Sequence, residues 1–182
     1  MRRFLALLAL LAWLVGQAAG APTVTTVAPP EVVVTCPPQT TTSATMEVVA
    51  GCGFTAAANT KYNFVFTITY QSSSTSGGIA FDLIGPNPVV TASYVSSPIY
   101  NSSSPTDVKE VRWAASSTLL AGDPWATSTG VPFANTDLTV SLSGYLETGA
   151  SGGNVQLRFA SVNGSATVSI RAGTKVSYQQ VL

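Results

Sequence analysis

The sequence predicts an all-β protein, an antiparallel β-sandwich of jelly-roll-like form. Three observations carry this reading. Tyr62–Tyr70 (YNFVFTITY) puts Tyr62, Phe64, Phe66, Ile68 and Tyr70 on one side of an extended chain. Asn63, Val65, Thr67 and Thr69 fall on the other, a strict period of two in aromatic and β-branched residues. After Ala44, turn signals rich in Gly, Pro, Asn and Ser recur about every 8–12 residues. No stretch beyond the N-terminal leader carries helical periodicity.

Composition narrows the class further. The chain has 182 residues, enough for one domain with its own core. Only 9% of residues are charged while 46% are hydrophobic, so it is neither a disordered polar chain nor a polyelectrolyte. Lys plus Arg equals Asp plus Glu at eight each, and loss of Arg2 and Arg3 with the leader leaves six basic and eight acidic residues. Such a balance offers no electrostatic footprint for nucleic acid or anionic lipid. There is no histidine, which removes the commonest general base and metal ligand.

Residues 1–20 have the form of a secretory signal peptide. Arg2 and Arg3 precede an apolar run of twelve, Phe4–Val15, and small residues follow at Ala18, Ala19, Gly20 and Ala21. Pro22 disfavours a cut immediately before it, which places cleavage after Gly20. An uncleaved membrane anchor is the alternative. As a helix, however, that run covers about 18 Å, short of the ~30 Å hydrocarbon core. Residues 21–43, with Pro22, Pro29, Pro30, Pro37 and Pro38, form an extended Pro/Thr-rich arm. Within it Glu31, Val32, Val33, Val34 and Thr35 make either a short strand or an arm that pairs with a sheet edge. Cys36 and Cys52 are the sole cysteines, and an exported chain with two cysteines most simply forms one disulfide. A metal or redox role is the alternative, opposed by a spacing that is not CxxC and by the lack of histidine.

The sandwich domain is read as residues 44–182. Its expected strands begin with Thr45–Val49, Phe54–Asn59 and Lys61–Gln71. A hairpin-type loop, Gln71–Gly78, leads to Ile79–Ile84, and Gly85-Pro86-Asn87-Pro88 turns the chain into Val89–Val95. Pro98–Asp107 reads as an exposed loop, Val108–Ala114 as a strand, Ser117–Leu120 as a short one, and Ala121–Asn135 as a long loop. Leu138, Val140, Leu142 and Leu146 share a face, with Gly144 among them where a large side chain would not fit. Val155, Leu157 and Phe159 alternate with polar residues. Asn163-Gly164 is a hairpin turn signal, and Val176 and Tyr178 point inward on the last strand. The total is about nine or ten strands.

Chemistry is sparse. No GxSxG, HExxH, P-loop or calcium-loop pattern occurs. Asp82, within IAFDLI, is the most conspicuous carboxylate. It reads as a residue of the less packed face paired with a base such as Lys61 or Arg158. Tyr100, Trp125 and Tyr145 are candidate ligand or interface aromatics, since a large ring with a polar tip suits both roles, whereas Trp113 and Tyr94 fit a core. Asn101-Ser102-Ser103 and Asn163-Gly164-Ser165 match the N-glycosylation pattern, a three-residue match that arises by chance, and the second is better accounted for by its turn.

From Phe54 onward the order of motifs resembles a β-sandwich domain of phage tail-fibre and virion-surface proteins. The resemblance rests on three groups of motifs: Phe54 to Phe64, with its small-residue turn into Tyr62-Asn63-Phe64; Gly78-Ile79-Ala80-Phe81 with Gly85-Pro86; and Gly144-Tyr145-Leu146, Gly153–Ala160 and Val168–Thr174. It covers about residues 44–182 and implies a jelly-roll-like, usually trimeric domain of an attachment particle. The leader and the cysteine pair depart from that family and point to an exported form.

Three functions remain in view. The first is a secreted, non-enzymatic structural or attachment protein that partners itself as a homotrimer or filament at a cell or virion surface, without cofactor, nucleic acid or, after leader removal, membrane. The second is a carbohydrate-binding module that holds a surface glycan through Trp125 and Tyr100. The third, a hydrolase, needs two carboxylates converging in a cleft.

Overall fold

The computed structural model describes residues 29–86, 89–115 and 126–181. The leader and its cleavage site, the first part of the arm, the Ser117–Leu120 strand and Trp125 lie outside the described residues. Among those described there are fourteen strands and no helix. In chain order they are β1 (Val32–Thr35), β2 (Gln39–Thr41), β3 (Glu47–Ala56), β4 (Lys61–Ser72), β5 (Ile79–Ile84), β6 (Val89–Ser96) and β7 (Ile99–Tyr100), then β8 (Val108–Lys109), β9 (Arg112–Ala115), β10 (Ala126–Thr127), β11 (Leu138–Thr148), β12 (Gly153–Ser161), β13 (Val168–Ile170) and β14 (Lys175–Val181).

They form two main antiparallel sheets. The larger runs β1-β14-β4-β11-β6-β9, with β13 and β2 continuing beside β4. The smaller runs β10-β5-β12-β3, and β7 with β8 makes a separate ribbon. β4 is the axis of the large sheet. One edge of it pairs with β11, and the other carries β13 and β14 end to end. The gap between those two strands is filled by Thr174, a buried residue. Its hydroxyl donates to Thr69 O (3.1 Å) and accepts from Thr69 N (3.0 Å), so the ladder continues through a side chain.

The alternation of β4 has the predicted consequence: Tyr62, Phe64, Phe66, Ile68 and Tyr70 are all buried. They meet Phe81 and Leu83 of β5, Val155, Leu157 and Phe159 of β12, and Phe54 of β3. Phe54 stacks on Tyr178 of β14 at 4.4 Å between ring centroids, and Tyr70 meets Phe81 edge-on at 5.3 Å, so ring contacts join the two sheets. Gly144 answers a packing constraint. A Cβ there would lie 2.3 Å from Phe64 Cζ and 2.7 Å from Ser93 O.

One margin of the sandwich is closed covalently. Cys36, just after β1, is disulfide-bonded to Cys52 of β3, with Cα atoms 4.5 Å apart and both side chains buried. Beside it the Gln39 side chain imitates a strand. Its Nε2 donates to Val48 O (3.1 Å) and its Oε1 accepts from Ala50 N (3.1 Å), which occupies edge groups of β3.

Several sequence expectations are corrected. The segment set apart as an arm enters the sandwich: β1 pairs with β14 and β2 with β13 of the same chain, so the boundary drawn at residue 44 falls inside the fold. Thr45–Val49 and Phe54–Asn59 belong to one strand, β3. Val49 and Cys52, three residues apart, both face the core because the strand bulges at Gly51 (φ 72°), and that phase break divided it in the sequence reading. β3 then ends at Ala56, where Asn59 (φ 52°) shapes a turn held by the buried Thr148 hydroxyl. Neither expected hairpin loop is one. Gln71–Gly78 leads from the large sheet to the small, and Asn163-Gly164 returns from β12 to β13 of the large sheet. The expected exposed loop Pro98–Asp107 buries Ile99, and the long loop Ala121–Asn135 buries Val131 and contributes β10, because both fold back over an open end of the core. Val108–Ala114 is interrupted at Glu110 and Val111, where Val111 bonds Ser96 through N and O instead of continuing a ladder.

Two predictions follow from this packing. Replacing Cys36 and Cys52 together with alanine should lower the unfolding free energy by about 3 kcal/mol, the loop-closure value for this spacing, measured by urea denaturation of the oxidised protein and the variant. Gly144→Ala should cost about 1–3 kcal/mol through overpacking against Phe64, and Phe64→Leu in the same chain should return part of that loss.

Candidate functional site

The described carboxylates are mostly tied to partners. Asp82 forms an ion pair with Arg158, its register partner on β12. Arg158 was one of the two bases expected; Lys61 instead lies 3.9 Å from Glu147. Asp82 lies on the phase opposite Phe81 and Leu83, as expected, but that position is fully packed: the residue is only 1% exposed. Ala80 and Ala160, on the same outward phase of the small sheet, are buried as well, so this part of the face is covered, whereas Val48 beside Arg158 is exposed. Burial lowers the Arg158 pKa from its ordinary value. Glu110 pairs with Arg112 at 2.9 Å, Asp137 with Arg171 at 3.2 Å, and Asp107 accepts from Asn101 Nδ2 at 3.3 Å. No group of three or more metal-ligating side chains gathers among the described residues.

The outward face of the large sheet is different. Strand register places Gln179, Asn63, Tyr145 and Ser93 in one row across β14, β4, β11 and β6. The next row is Val33, Ser177, Val65, Ser143, Val95 and Arg112. Between these rows lies an open depression of about 450 Å³ lined by Asn63, Ser93, Val95, Arg112, Ser143 and Tyr145, with Tyr94 and Gly144 at its base. Tyr145 is half-buried, and its hydroxyl makes one long bond, donating to Glu147 Oε2 at 3.4 Å. The side chains of Asn63, Ser93 and Ser143 make no hydrogen bond among the described residues.

The loops at the far end of the sandwich form the other conspicuous surface. Their hydroxyls and amides are mostly turned back on the chain. Ser72 Oγ donates to Ser74 O (3.0 Å), Asn163 Nδ2 to Ser76 O (2.9 Å), Thr129 Oγ1 to Asn101 O (2.7 Å), and Ser128 Oγ to Gly130 O. These bonds hold the loops in set shapes.

The expected site residues are therefore dispersed. Tyr100 is at the loop end, half-buried and packed against the core rather than presented. Burial, with Tyr100 nearby, raises the Tyr70 hydroxyl pKa well above its ordinary value. Among the described residues Phe133 is the exposed aromatic there, at 52%. Its signal was an aromatic out of any alternation between Pro132 and Ala134. Glu31 is exposed just before β1, where Val32, Val33, Val34 and Thr35 form the sheet margin. Tyr145 is the candidate that finds companions. Asn63, Ser93, Ser143 and Arg112 beside it went unremarked because only strand pairing brings them together.

The Asp82–Arg158 pair gives a direct test of burial. Arg158→Met should destabilise by about 3–5 kcal/mol in urea unfolding, since it removes the guanidinium from a buried carboxylate. Asp82→Leu combined with Arg158→Met should recover most of that loss.

No family model matches the chain, and no curated protein matches it. Among solved structures it is similar to that of infectious bursal disease virus Gt strain, at 13% identity over 85% of this chain and 38% of the other, with a TM-score of 0.21. The VP2 subviral particle of the same virus matches at 10% identity over 85% and 42% (TM-score 0.22), and the Gx strain at 12% over 84% and 39% (TM-score 0.20). The chain spans about two fifths of the length of these structures. TM-scores this low leave the architecture to be judged from the chain's own strand order.

Proposed function

We propose that this protein is a non-enzymatic structural or attachment subunit of an extracellular or virion surface, assembling with copies of itself into a trimer or filament. The observation that carries the reading is where the fold places its reactive groups. The cysteines are joined and buried, the buried carboxylate is bound to Arg158, and the exposed charges of Glu110 and Asp137 are neutralised by neighbours. What the large sheet presents outward is chiefly Ser, Thr, Val, Asn and Gln, so subunits joined edge to edge through β1 and β14 bring little like charge together. The disulfide supports an oxidising location outside the reducing cytosol.

β1 supplies the mechanism of assembly in this reading. It is a margin strand of four residues, paired along β14, with Val32 at 40% and Val33 at 56% exposure. It is rooted at its C-terminal side by Cys36 and preceded by Pro29 and Pro30. Donated to the β14 edge of a neighbour, it would make the same four-residue register between chains.

Light scattering on the oxidised chain from Ala21 to Leu182 should show a trimer or larger polymer; a clean monomer would oppose the assembly. Val33 and Ser177 are register partners, so Val33→Cys with Ser177→Cys should give a ladder of covalent oligomers on a non-reducing gel. Monomers alone, with the new bond formed within each chain, would rule out exchange of β1.

A further inference from the structure

We propose that the depression around Tyr145 on the large sheet binds a neutral, polyhydroxylated glycan. This deepens the attachment reading and rests on it for its biological sense, while its test is separate from the test of assembly.

Three observations converge on that ligand. The site is a shallow, open depression of about 450 Å³ on the face of the sheet. It holds a half-buried tyrosine ring with Asn63 and Ser93 as its direct cross-strand neighbours. An apolar ring face suits the C–H face of a pyranose, and the flanking amide and hydroxyls suit its equatorial hydroxyls. The polar groups there are also available. Ser and Asn side chains of the loop end are engaged in their own turns, whereas those of Asn63, Ser93 and Ser143 have no hydrogen bond among the described residues.

Charge selects among polar ligands. Arg112, at the rim, is bound to Glu110 at 2.9 Å. On the opposite side Glu147 meets Lys61 at 3.9 Å and the Tyr145 hydroxyl at 3.4 Å. Each local charge has its counter-charge, so the depression offers no net field to an anionic or cationic ligand. A neutral ligand that exchanges hydrogen bonds with water at little cost fits better. Backbone hydrogen bonds of the four strands hold the row in place, so the site is pre-formed.

The test is a two-dimensional amide NMR titration of the oxidised Ala21–Leu182 protein with cellohexaose, maltohexaose, xylohexaose and chitohexaose, and with hyaluronan fragments as the anionic comparison. Saturable shifts at Asn63, Ser93, Ser143 and Tyr145 with a neutral oligosaccharide are expected. Tyr145→Ala should weaken that binding about tenfold. Asn63→Ala should weaken it less, and Phe133→Ala at the far end should leave it unchanged. Tyr145→Thr retains a strand-forming residue and keeps the experiment informative if the alanine variant does not fold. Binding of none of the neutral oligosaccharides overturns the proposal. So do shifts confined to the loop end, binding of the hyaluronan fragments alone, and shifts of the same four residues that depend only on protein concentration, which would mark the face as a contact between copies. A monomer that binds the glycan here would sink the assembly reading and leave this site standing; a trimer that binds none would do the reverse.

Discussion

The apolar face of β4 is the constraint on which the rest of the structure depends. Five large side chains at every second position of one strand must all leave water, and no single neighbour can cover them. The small sheet supplies Phe54, Phe81, Leu157 and Phe159 for that purpose. Because β4 is long, its two edges recruit β11 on one side and β13 and β14 on the other. Gly144 is a consequence of the same burial: Phe64 occupies the space that a side chain on β11 would need.

Holding two sheets together is a separate task from forming them, and the molecule assigns it to uncharged groups. The Cys36–Cys52 bond and the Gln39 amide join the sheets at one margin. Thr174 continues the ladder where β13 gives way to β14, and Thr148 holds the turn before β4. Loops that carry the chain between sheets are held by serine and asparagine side chains bonded to nearby backbone. The low charge and high hydroxyl content of the composition thus have a local cause. Polar atoms that must be satisfied near a core are served by short side chains that reach the backbone.

That distribution separates two kinds of polar surface. At the loop end the polar atoms maintain the loops themselves. On the outward face of the large sheet the backbone is already satisfied by strand pairing, and the side chains of Asn63, Ser93 and Ser143 make no hydrogen bond among the described residues. The candidate site was legible only in part for the same reason. Tyr145 stands out because it falls on the wet phase of a strand whose other phase is Leu138, Val140, Leu142 and Leu146. Its neighbours come from residues 63, 93 and 112, whose association depends on register across four strands. Tyr100, conspicuous in a stretch rich in Ser and Pro, turned out to pack against the core, because the ribbon of β7 and β8 folds back over the sandwich end.

The sequence by itself determined the class of structure and the inward residues. Alternation is a local property: successive side chains of an extended chain must point to opposite faces, so β4, β11 and β12 could be read with their phases from the residues alone. It also named the cysteine pair, and Arg158 as one of two candidate partners for Asp82, between which only the strand register chose. Tertiary structure alone decided which strands share a sheet. A turn residue such as Gly164 reverses the chain equally well into a hairpin or across to the opposite sheet, and the outcome depends on which remote edge is still unpaired. The bulge at Gly51, the burial of Asp82, the entry of β1 and β2 into the large sheet, and the row that sets Tyr145 between Asn63 and Ser93 are decided the same way. Each follows from contacts between residues far apart in sequence, which no local periodicity encodes.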